Sequence, residues 1–153
     1  MTETPRNVLV LCTGNSARSV MAETLLNDLG RGRVRAFSAG SHPTGAVNPL
    51  TIEVLREKGH SVAGLRSKSW DEFALPDAPQ MDLVITVCDN AAGEVCPVWP
   101  GGPAKVHIGF PDPAAAEGTH DQRLGEFRRI YGLIEAKMRK LVELGLDRAG
   151  EVR

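Results

Sequence analysis

The stretch Val8-Leu-Val-Leu-Cys-Thr-Gly-Asn-Ser-Ala-Arg-Ser19 decides the fold. Residues 8–11 form a continuous apolar run, which is typical of a strand buried on both faces of a parallel sheet. Beyond the loop, apolar residues recur at helical spacing up to Leu29, and Gly30 and Gly32 predict the end of that helix. The stretch therefore predicts a strand, a loop and a helix in direct succession.

The loop has the composition of a site for a tetrahedral oxyanion. Gly14 and Asn15 tolerate the positive φ that a ring of inward-facing N–H groups requires. The helix N-terminus adds partial positive charge, and Arg18 can bind two oxygens at once. The same field favours a thiolate, so we expect a lowered pKa for Cys12, the candidate nucleophile. The predicted oxyanion-binding residues are Thr13, Gly14, Asn15, Ser16, Ala17, Arg18 and Ser19.

A simpler interpretation of the loop stays open on these residues alone. A cysteine at the end of a buried strand can serve only as a small hydrophobic residue, and a Gly-Asn turn needs no ligand. The catalytic interpretation is favoured because Cys12, Gly14, Asn15, Arg18 and Ser19 all fall where an anion-binding loop would use them.

Length and composition predict one globular domain. The 153 residues are 42% hydrophobic and 24% charged, with a net charge of −1, so no overall field attracts nucleic acid or an anionic membrane. We expect a core over about residues 7–144 and a flexible tail over 145–153. The basic cluster Arg31, Arg33 and Arg35 could be a partner surface, but a solvated strand edge is the favoured interpretation.

Cysteine usage and the polar start of the chain point to the cytoplasm. Three cysteines are an odd number, which fits no disulfide framework of a secreted protein. Residues 8–11 are too few for the apolar region of a signal peptide or for a membrane span. We therefore expect a reducing, cytoplasmic environment and no membrane partner.

Three further β-runs alternate with helical segments along the chain. The predicted strands are residues 34–38, 82–87 and 105–109. One predicted helix is capped by Asn48 and runs to about Gly59, and a short one lies at 69–73. A long amphipathic helix follows over 127–141. Residues 89–103 are rich in Gly and Pro and predict a loop with room for one helical turn. The pattern predicts an α/β fold: a small doubly wound four-stranded parallel sheet with helices on both faces.

The carboxyl ends of three strands converge on one crevice in such a fold. The first strand delivers Cys12, the third ends at Cys88, and the fourth leads into Phe110-Pro-Asp-Pro113. Alone, an Asp-Pro pair is turn chemistry, but its place after the fourth strand makes Asp112 a candidate general acid.

Strand, Cys-Thr-Gly-Asn-Ser-Ala-Arg-Ser loop and helix together resemble the low-molecular-weight tyrosine phosphatase superfamily, which includes a branch of arsenate reductases. The resemblance implies that Asp112 protonates the leaving group, as the matching aspartate does in the phosphatases. It also implies that Cys88 and Cys96 match the second and third cysteines of the reductases. Arsenate, a mimic of phosphate and sulfate in shape and charge, would then be reduced by Cys12 and Cys88, with Cys96 resolving the disulfide.

The resemblance further implies thioredoxin as the reductant, with glutathione and glutaredoxin as the alternative if Cys96 is inert, and it implies no cofactor. A rival function is a low-molecular-weight protein tyrosine phosphatase that uses Cys12, Arg18 and Asp112. It is disfavoured because alanines at 114–116 stand where the phosphatases carry aromatic residues that clamp a phenyl ring.

Two other functions are weaker. A silent oxyanion-binding module would need neither a nucleophile nor an acid. A zinc site is disfavoured because the spacing of Cys88 and Cys96 is not that of a zinc finger, and only scattered histidines could complete it. We therefore expect no bound metal.

Overall fold

The computed structural model describes residues 5–88 and 102–152. Its strands are β1 (Arg6–Leu11), β2 (Val34–Ala39), β3 (Leu83–Thr86) and β4 (Ala104–His107), and its α-helices are α1 (Arg18–Gly30), α2 (Pro49–Glu57) and α3 (His120–Leu144). Within the described residues, short 3-10 helices lie at Trp70–Phe73, Pro113–Ala115 and Leu146–Glu151. The strands pair in the order β2-β1-β3-β4, and all three pairings are parallel. The predicted doubly wound α/β fold is confirmed.

The buried strand β1 divides the core into two layers. Val8 and Val10 face one side, where α1, α2 and α3 pack, and Leu9 and Leu11 face the other side. The 3-10 helix Trp70–Phe73 covers that second face through Phe73. All four of these β1 side chains are fully buried, which explains the uninterrupted apolar run at 8–11.

Side-chain caps set where the helices begin. Asn48 accepts a hydrogen bond from the N–H of Leu50 at 2.9 Å, with Pro49 in the first turn of α2, as the sequence predicts. Helix α3 begins at His120, seven residues before the apolar pattern starts at Phe127, because Thr119 and Gln122 form a reciprocal capping box.

The end of the chain differs from the flexible tail predicted over 145–153. Residues Leu146–Glu151 form a 3-10 helix, and Ala149 and Val152 are buried in the core beside α3. Two apolar side chains in a charged stretch are too few to show periodicity, so the sequence pattern hides this packing. That the chain is one domain stays a prediction. In the part of the chain that the structure describes, no helix combines the length and apolarity of a membrane span.

Candidate active site

A pocket opens at the carboxyl ends of β1 and β3. It is lined by residues 12–18 of the loop, by Cys88, by Asp112 and Ala114 from the segment after β4, and by Thr44. The parallel sheet brings these segments together because adjacent strands end at the same edge. Cys12, Arg18, Cys88 and Asp112, which the sequence singled out, thus share one pocket.

The loop is tied to its surroundings through its carbonyl oxygens. The oxygen of Thr13 accepts from His42 N–H at 3.0 Å, that of Gly14 from Thr44 N–H at 3.1 Å, and that of Ser16 from Asn48 N–H at 3.0 Å. In a planar trans peptide, the next residue's N–H points opposite to the carbonyl. Carbonyls bound outside the loop therefore turn the N–H groups that follow them towards its interior, where an oxyanion would accept them.

Asn15 sits at the base of the loop in a left-handed conformation, with φ 47°, and is fully buried. Its Nδ2 donates to the Oγ atoms of Ser19 and Ser38, each at 2.9 Å, and its Oδ1 accepts from the N–H of Lys68, also at 2.9 Å. These three hydrogen bonds satisfy the amide and hold the backbone in a region that non-glycine residues rarely adopt.

Gly40 lets the chain pass directly behind the loop. A Cβ atom at this position would lie 2.3 Å from the carbonyl oxygen of Thr13 and 2.7 Å from that of Cys12. Both neighbours are backbone atoms, so they could not move without changing the loop. Only glycine fits here.

Cys12 and Cys88 are reduced thiols, both buried, and hydrogen bonded to each other. The N–H of Thr13 donates to the Sγ of Cys88 at 3.3 Å, and the Thr13 hydroxyl lies 3.6 Å from the same sulfur. The two sulfurs that a disulfide would join are therefore neighbours across the ends of β1 and β3.

The neighbouring thiol changes the acidity of Cys12. The hydrogen bond with Cys88 and burial raise the pKa of Cys12, and they outweigh Arg18 and the Thr13 N–H, which lower it. The prediction of a lowered pKa for Cys12 is therefore wrong for this pair of reduced thiols. The charges of the loop favour a thiolate, but the second sulfur beside Cys12 opposes it, because two adjacent thiols do not both ionise readily.

Arg18 links the loop to the segment after β4. Its Nη1 donates to the carbonyl oxygen of Phe110 at 3.0 Å, and its Nη2 lies 3.8 Å from Oδ2 of Asp112. Asp112 caps the 3-10 helix Pro113–Ala115 by accepting from the N–H of Ala114 at 3.0 Å, and about half of its side chain is exposed. A half-exposed carboxyl at the rim can exchange protons with both pocket and solvent.

Two predicted site residues are placed differently from the rest. Ser19 does not line the pocket; it is fully buried behind the loop, where its Oγ accepts from Asn15. Cys96 lies outside the described residues.

The sequence patterns did not reveal Thr44, on the rim of the pocket, or Lys68, behind the loop. Neither belongs to a motif, and each reaches the site only through the tertiary fold. Within residues 5–88 and 102–152, no group of three or more His, Cys, Asp or Glu side chains is arranged to hold a metal ion.

Comparison with known proteins defines the class. The family model described as low molecular weight phosphotyrosine protein phosphatase matches residues 7–150. The match spans nearly the whole chain, including the loop, Cys88 and Asp112. The chain therefore belongs to the low molecular weight phosphotyrosine protein phosphatase family.

Within this family, the chain is similar to arsenate reductases. An arsenate reductase of Halalkalibacterium halodurans is 38% identical over 90% of this chain and 96% of its own length. A solved structure of an arsenate reductase in the phosphate binding state is 27% identical, with a TM-score of 0.73 over 91% of this chain and 98% of that one.

A thioredoxin-dependent arsenate reductase of Corynebacterium glutamicum is 25% identical to the chain, with a TM-score of 0.66. The similarity covers 94% of this chain. The chain spans only 65% of the length of that protein.

Proposed function

We propose that this protein is an arsenate reductase, which converts arsenate to arsenite at Cys12 and thereby detoxifies arsenic. One observation carries the proposal: the loop cysteine Cys12 has a second thiol, Cys88, within hydrogen-bonding distance. Reduction of As(V) to As(III) needs two electrons, and two thiols supply them when they form a disulfide. The similarity to arsenate reductases over nearly the whole chain supports the same activity.

In the first step, Cys12 releases its proton to water, an ionisation that Arg18 and the Thr13 N–H favour, and the resulting thiolate attacks arsenic in dihydrogen arsenate. The S–As bond forms as one As–O bond breaks, and Asp112 donates the proton that lets the departing oxygen leave as water. The inward N–H groups of the loop and the Arg18 guanidinium bind the remaining oxygens. No electron has yet been transferred to arsenic.

In the second step, the Cys88 thiolate attacks the sulfur of Cys12. The Cys12–Cys88 disulfide forms, the S–As bond breaks, and its electron pair stays on arsenic, which leaves as arsenite after taking up protons from water. The N–H of Thr13, 3.3 Å from the sulfur of Cys88, stabilises the attacking thiolate. Thr13 thus follows the first nucleophile, Cys12, in the sequence, and its N–H donates a hydrogen bond to the second nucleophile, Cys88.

In the third step, Cys96 attacks Cys88, which frees Cys12 and moves the disulfide to Cys88–Cys96. The family resemblance supports this role for Cys96. Thioredoxin then reduces the new disulfide; the thioredoxin-dependent reductase of Corynebacterium glutamicum supports this partner. Glutathione with glutaredoxin is the alternative reductant. The whole cycle requires thiols kept reduced, which fits the cytoplasm.

The rim of the pocket suits a small inorganic oxyanion better than a phosphotyrosine. Ala114 and Thr44 line it, and neither side chain can stack on an aryl ring. The rival phosphatase activity uses the same Cys12, Arg18 and Asp112 but has no use for Cys88. The pairing of Cys12 with Cys88 is therefore what favours the reductase.

The test is NADPH consumption with arsenate, thioredoxin and thioredoxin reductase, in wild type and in Cys12→Ser, Cys88→Ser and Cys96→Ser. We expect each substitution to abolish turnover, while Cys88→Ser and Cys96→Ser still cleave an aryl phosphate at whatever rate wild type does. If Cys96→Ser still turns over with glutathione and glutaredoxin, the protein is an arsenate reductase whose reductant is glutathione with glutaredoxin and not thioredoxin. No arsenate turnover, with aryl phosphate cleaved, would make the protein a phosphatase.

A further inference from the structure

A threonine in the first turn of α2 reaches across to the oxyanion loop. Thr51 is fully buried, and its hydroxyl donates to the carbonyl oxygen of Ser16 at 2.9 Å, across 35 positions in the sequence. The same oxygen accepts from the N–H of Asn48 at 3.0 Å. Two donors from the start of α2 therefore hold one carbonyl of the loop from outside.

The Thr51 hydroxyl is not needed to begin α2. Asn48 already caps that helix by accepting from the N–H of Leu50. Inside a helix, a threonine hydroxyl can donate to the carbonyl four residues earlier, as the Thr24 hydroxyl does to Val20 in α1 at 3.0 Å. Thr51 donates to a distant segment instead. Its hydrogen bond therefore acts on the loop and not on its own helix.

The carbonyl of Ser16 belongs to the same peptide as the N–H of Ala17. In a trans peptide this N–H points opposite to the carbonyl, and Ala17 lines the pocket. Ala17 is also the N-cap of α1, but an alanine has no side-chain acceptor that could fix the start of the helix. The orientation of this peptide thus depends on the groups that hold the Ser16 carbonyl.

The hydroxyl also strengthens the N–H on the other side of the peptide. Hydrogen bonds in a chain polarise one another, so a donor on the carbonyl makes the N–H of the same peptide a better donor. Thr51 and Ala17 are both buried, and electrostatic effects of this kind are larger away from water. A bound oxyanion would gain from both the direction and the strength of the Ala17 N–H.

We propose that Thr51 is a positioning residue for oxyanion binding, whose hydroxyl fixes and polarises the Ser16–Ala17 peptide so that the Ala17 N–H donates to the bound anion. Thr51 does not line the pocket itself, so it acts only through the loop. This role rests on the proposed function, in which the loop holds arsenate for attack by Cys12. It requires that the loop binds an oxyanion, but not that the redox steps follow.

The test is the affinity of the reduced protein for inorganic phosphate, measured by calorimetry in wild type, Thr51→Val and Thr51→Ser. Valine keeps the branched shape and removes the hydroxyl, whereas serine keeps the hydroxyl and removes a buried methyl group. We expect phosphate binding to weaken by about fivefold in Thr51→Val, the effect of one neutral hydrogen bond. In Thr51→Ser it should stay within about twofold of wild type, because the hydroxyl is still present to donate. Affinity would then follow the hydroxyl and not the packing.

Thr24→Val is the matched control. Thr24 is also buried and its hydroxyl also donates to a carbonyl, but that hydrogen bond lies within α1. We expect wild-type phosphate affinity in this variant, whatever its melting temperature. All variants are assayed at a temperature at which circular dichroism shows them folded. If Thr51→Val does not fold, Thr51→Ala replaces it, since alanine differs from serine only by the hydroxyl.

Three results would overturn the proposal. The first is wild-type phosphate affinity in the variant that lacks the Thr51 hydroxyl, and the second is an equal loss in Thr51→Ser. The third is a loss of the same size in Thr24→Val. Failure of the proposed function has a different signature: phosphate affinity would depend on the Thr51 hydroxyl as expected, but wild type would not reduce arsenate. A wild type that binds no phosphate would contradict both.

Discussion

The backbone N–H of Thr13 donates to the sulfur of Cys88 at 3.3 Å, so the residue that follows the loop nucleophile directly contacts the second thiol. The contact crosses from the end of β1 to the end of β3, strands that pair in parallel register from Val8 and Leu83 to Leu11 and Thr86. Continued past the strand ends, this register sets Cys12 opposite Val87 and Thr13 opposite Cys88, so the Thr13 N–H is the group that faces the second sulfur. The chemistry of one thiol therefore depends on the other.

Cys88→Ala should make Cys12 more acidic. Cys88 is the largest cause of the raised pKa of Cys12, and its removal leaves only burial to raise that pKa against Arg18 and the Thr13 N–H, which lower it. Each unit by which the pKa falls multiplies the thiolate fraction about tenfold while the thiol predominates. We expect Cys12 to react faster with iodoacetamide at pH 7 and the pH midpoint of this alkylation to fall. Both are measured on the Cys12 peptide by mass spectrometry.

The matched control is Cys96→Ala, which should leave the pH midpoint of Cys12 alkylation at its wild-type value if Cys96 does not touch the reduced pair. A midpoint that is unchanged or higher in Cys88→Ala would show that the second thiol does not control the first.

Asp112→Asn should slow the step in which an oxygen leaves. Asparagine keeps the shape and the cap on Ala114 but cannot transfer a proton. With aryl phosphates as probes, we expect kcat to fall by about 100-fold for a poor leaving group, the lower end for loss of a general acid, and by less for a good one. Phosphate affinity serves as the control and should change little. An equal loss for all leaving groups would argue against proton transfer by Asp112.

Gly40→Ala should disable the loop through steric contact alone. The added methyl group would meet the carbonyl oxygens of Thr13 and Cys12 at 2.3 and 2.7 Å, so the loop must move. We expect phosphate binding to be lost and the free energy of unfolding to fall by about 1–3 kcal/mol, as in other overpacked sites.

Gly132→Ala is the matched control for that substitution. Gly132 lies in α3 with open space around its Cα, so alanine there should stabilise the helix by up to about 1 kcal/mol and leave phosphate binding unchanged. Normal phosphate binding by Gly40→Ala would contradict the close approach described for the loop.

Tyr131 joins α3 to the end of α1 through His60. The Tyr131 hydroxyl lies 2.7 Å from His60 Nε2, and His60 Nδ1 contacts Asp28. Tyr131→Phe removes this partly buried hydrogen bond and leaves His60 Nε2 without the tyrosine hydroxyl. We expect the free energy of unfolding to fall by about 1 kcal/mol, which a urea titration monitored by circular dichroism would measure.

Alkaline pH provides a second test of the same tyrosine. Burial raises the pKa of Tyr131 from 10.0 to about 12, and Tyr131 is the only tyrosine in the chain, so its phenolate absorbance can be followed alone. Because the unfolded state loses this proton first, the free energy of unfolding of wild type should fall as the pH rises from 10 towards 12. Tyr131→Phe lacks the phenol, so it should not show this contribution. A phenolate midpoint near 10 in the folded protein would show that Tyr131 is not shielded.

Local patterns were enough to predict most of the fold. The apolar run at 8–11, the Asn48-Pro49 cap and the glycines after Leu29 each determine structure within a few residues, and the structure has β1, α2 and the end of α1 at those places. The convergence of Cys12, Cys88 and Asp112 also followed from a general property of parallel sheets.

The features that the sequence did not reveal depend on contacts between distant segments. Lys68 belongs to no motif, and it reaches Asn15 because its carbonyl oxygen accepts from the N–H of Gly40, beside the loop. The raised pKa of Cys12 likewise depends on a sulfur that is 76 positions away in the chain. Such contacts leave no periodic trace, so no local pattern could have predicted them.

In the proposed mechanism, Cys12 and Cys88 supply the two electrons that reduce arsenate. The most direct measurement is arsenite released in a single turnover, by reduced protein freed of external thiol and mixed with excess arsenate. Wild type and Cys96→Ser should each release about one arsenite per chain and lose two thiols, since Cys12 and Cys88 alone carry out that chemistry. Cys12→Ser and Cys88→Ser should release none. Arsenite released in full by Cys88→Ser, or no arsenite from wild type, would contradict the account.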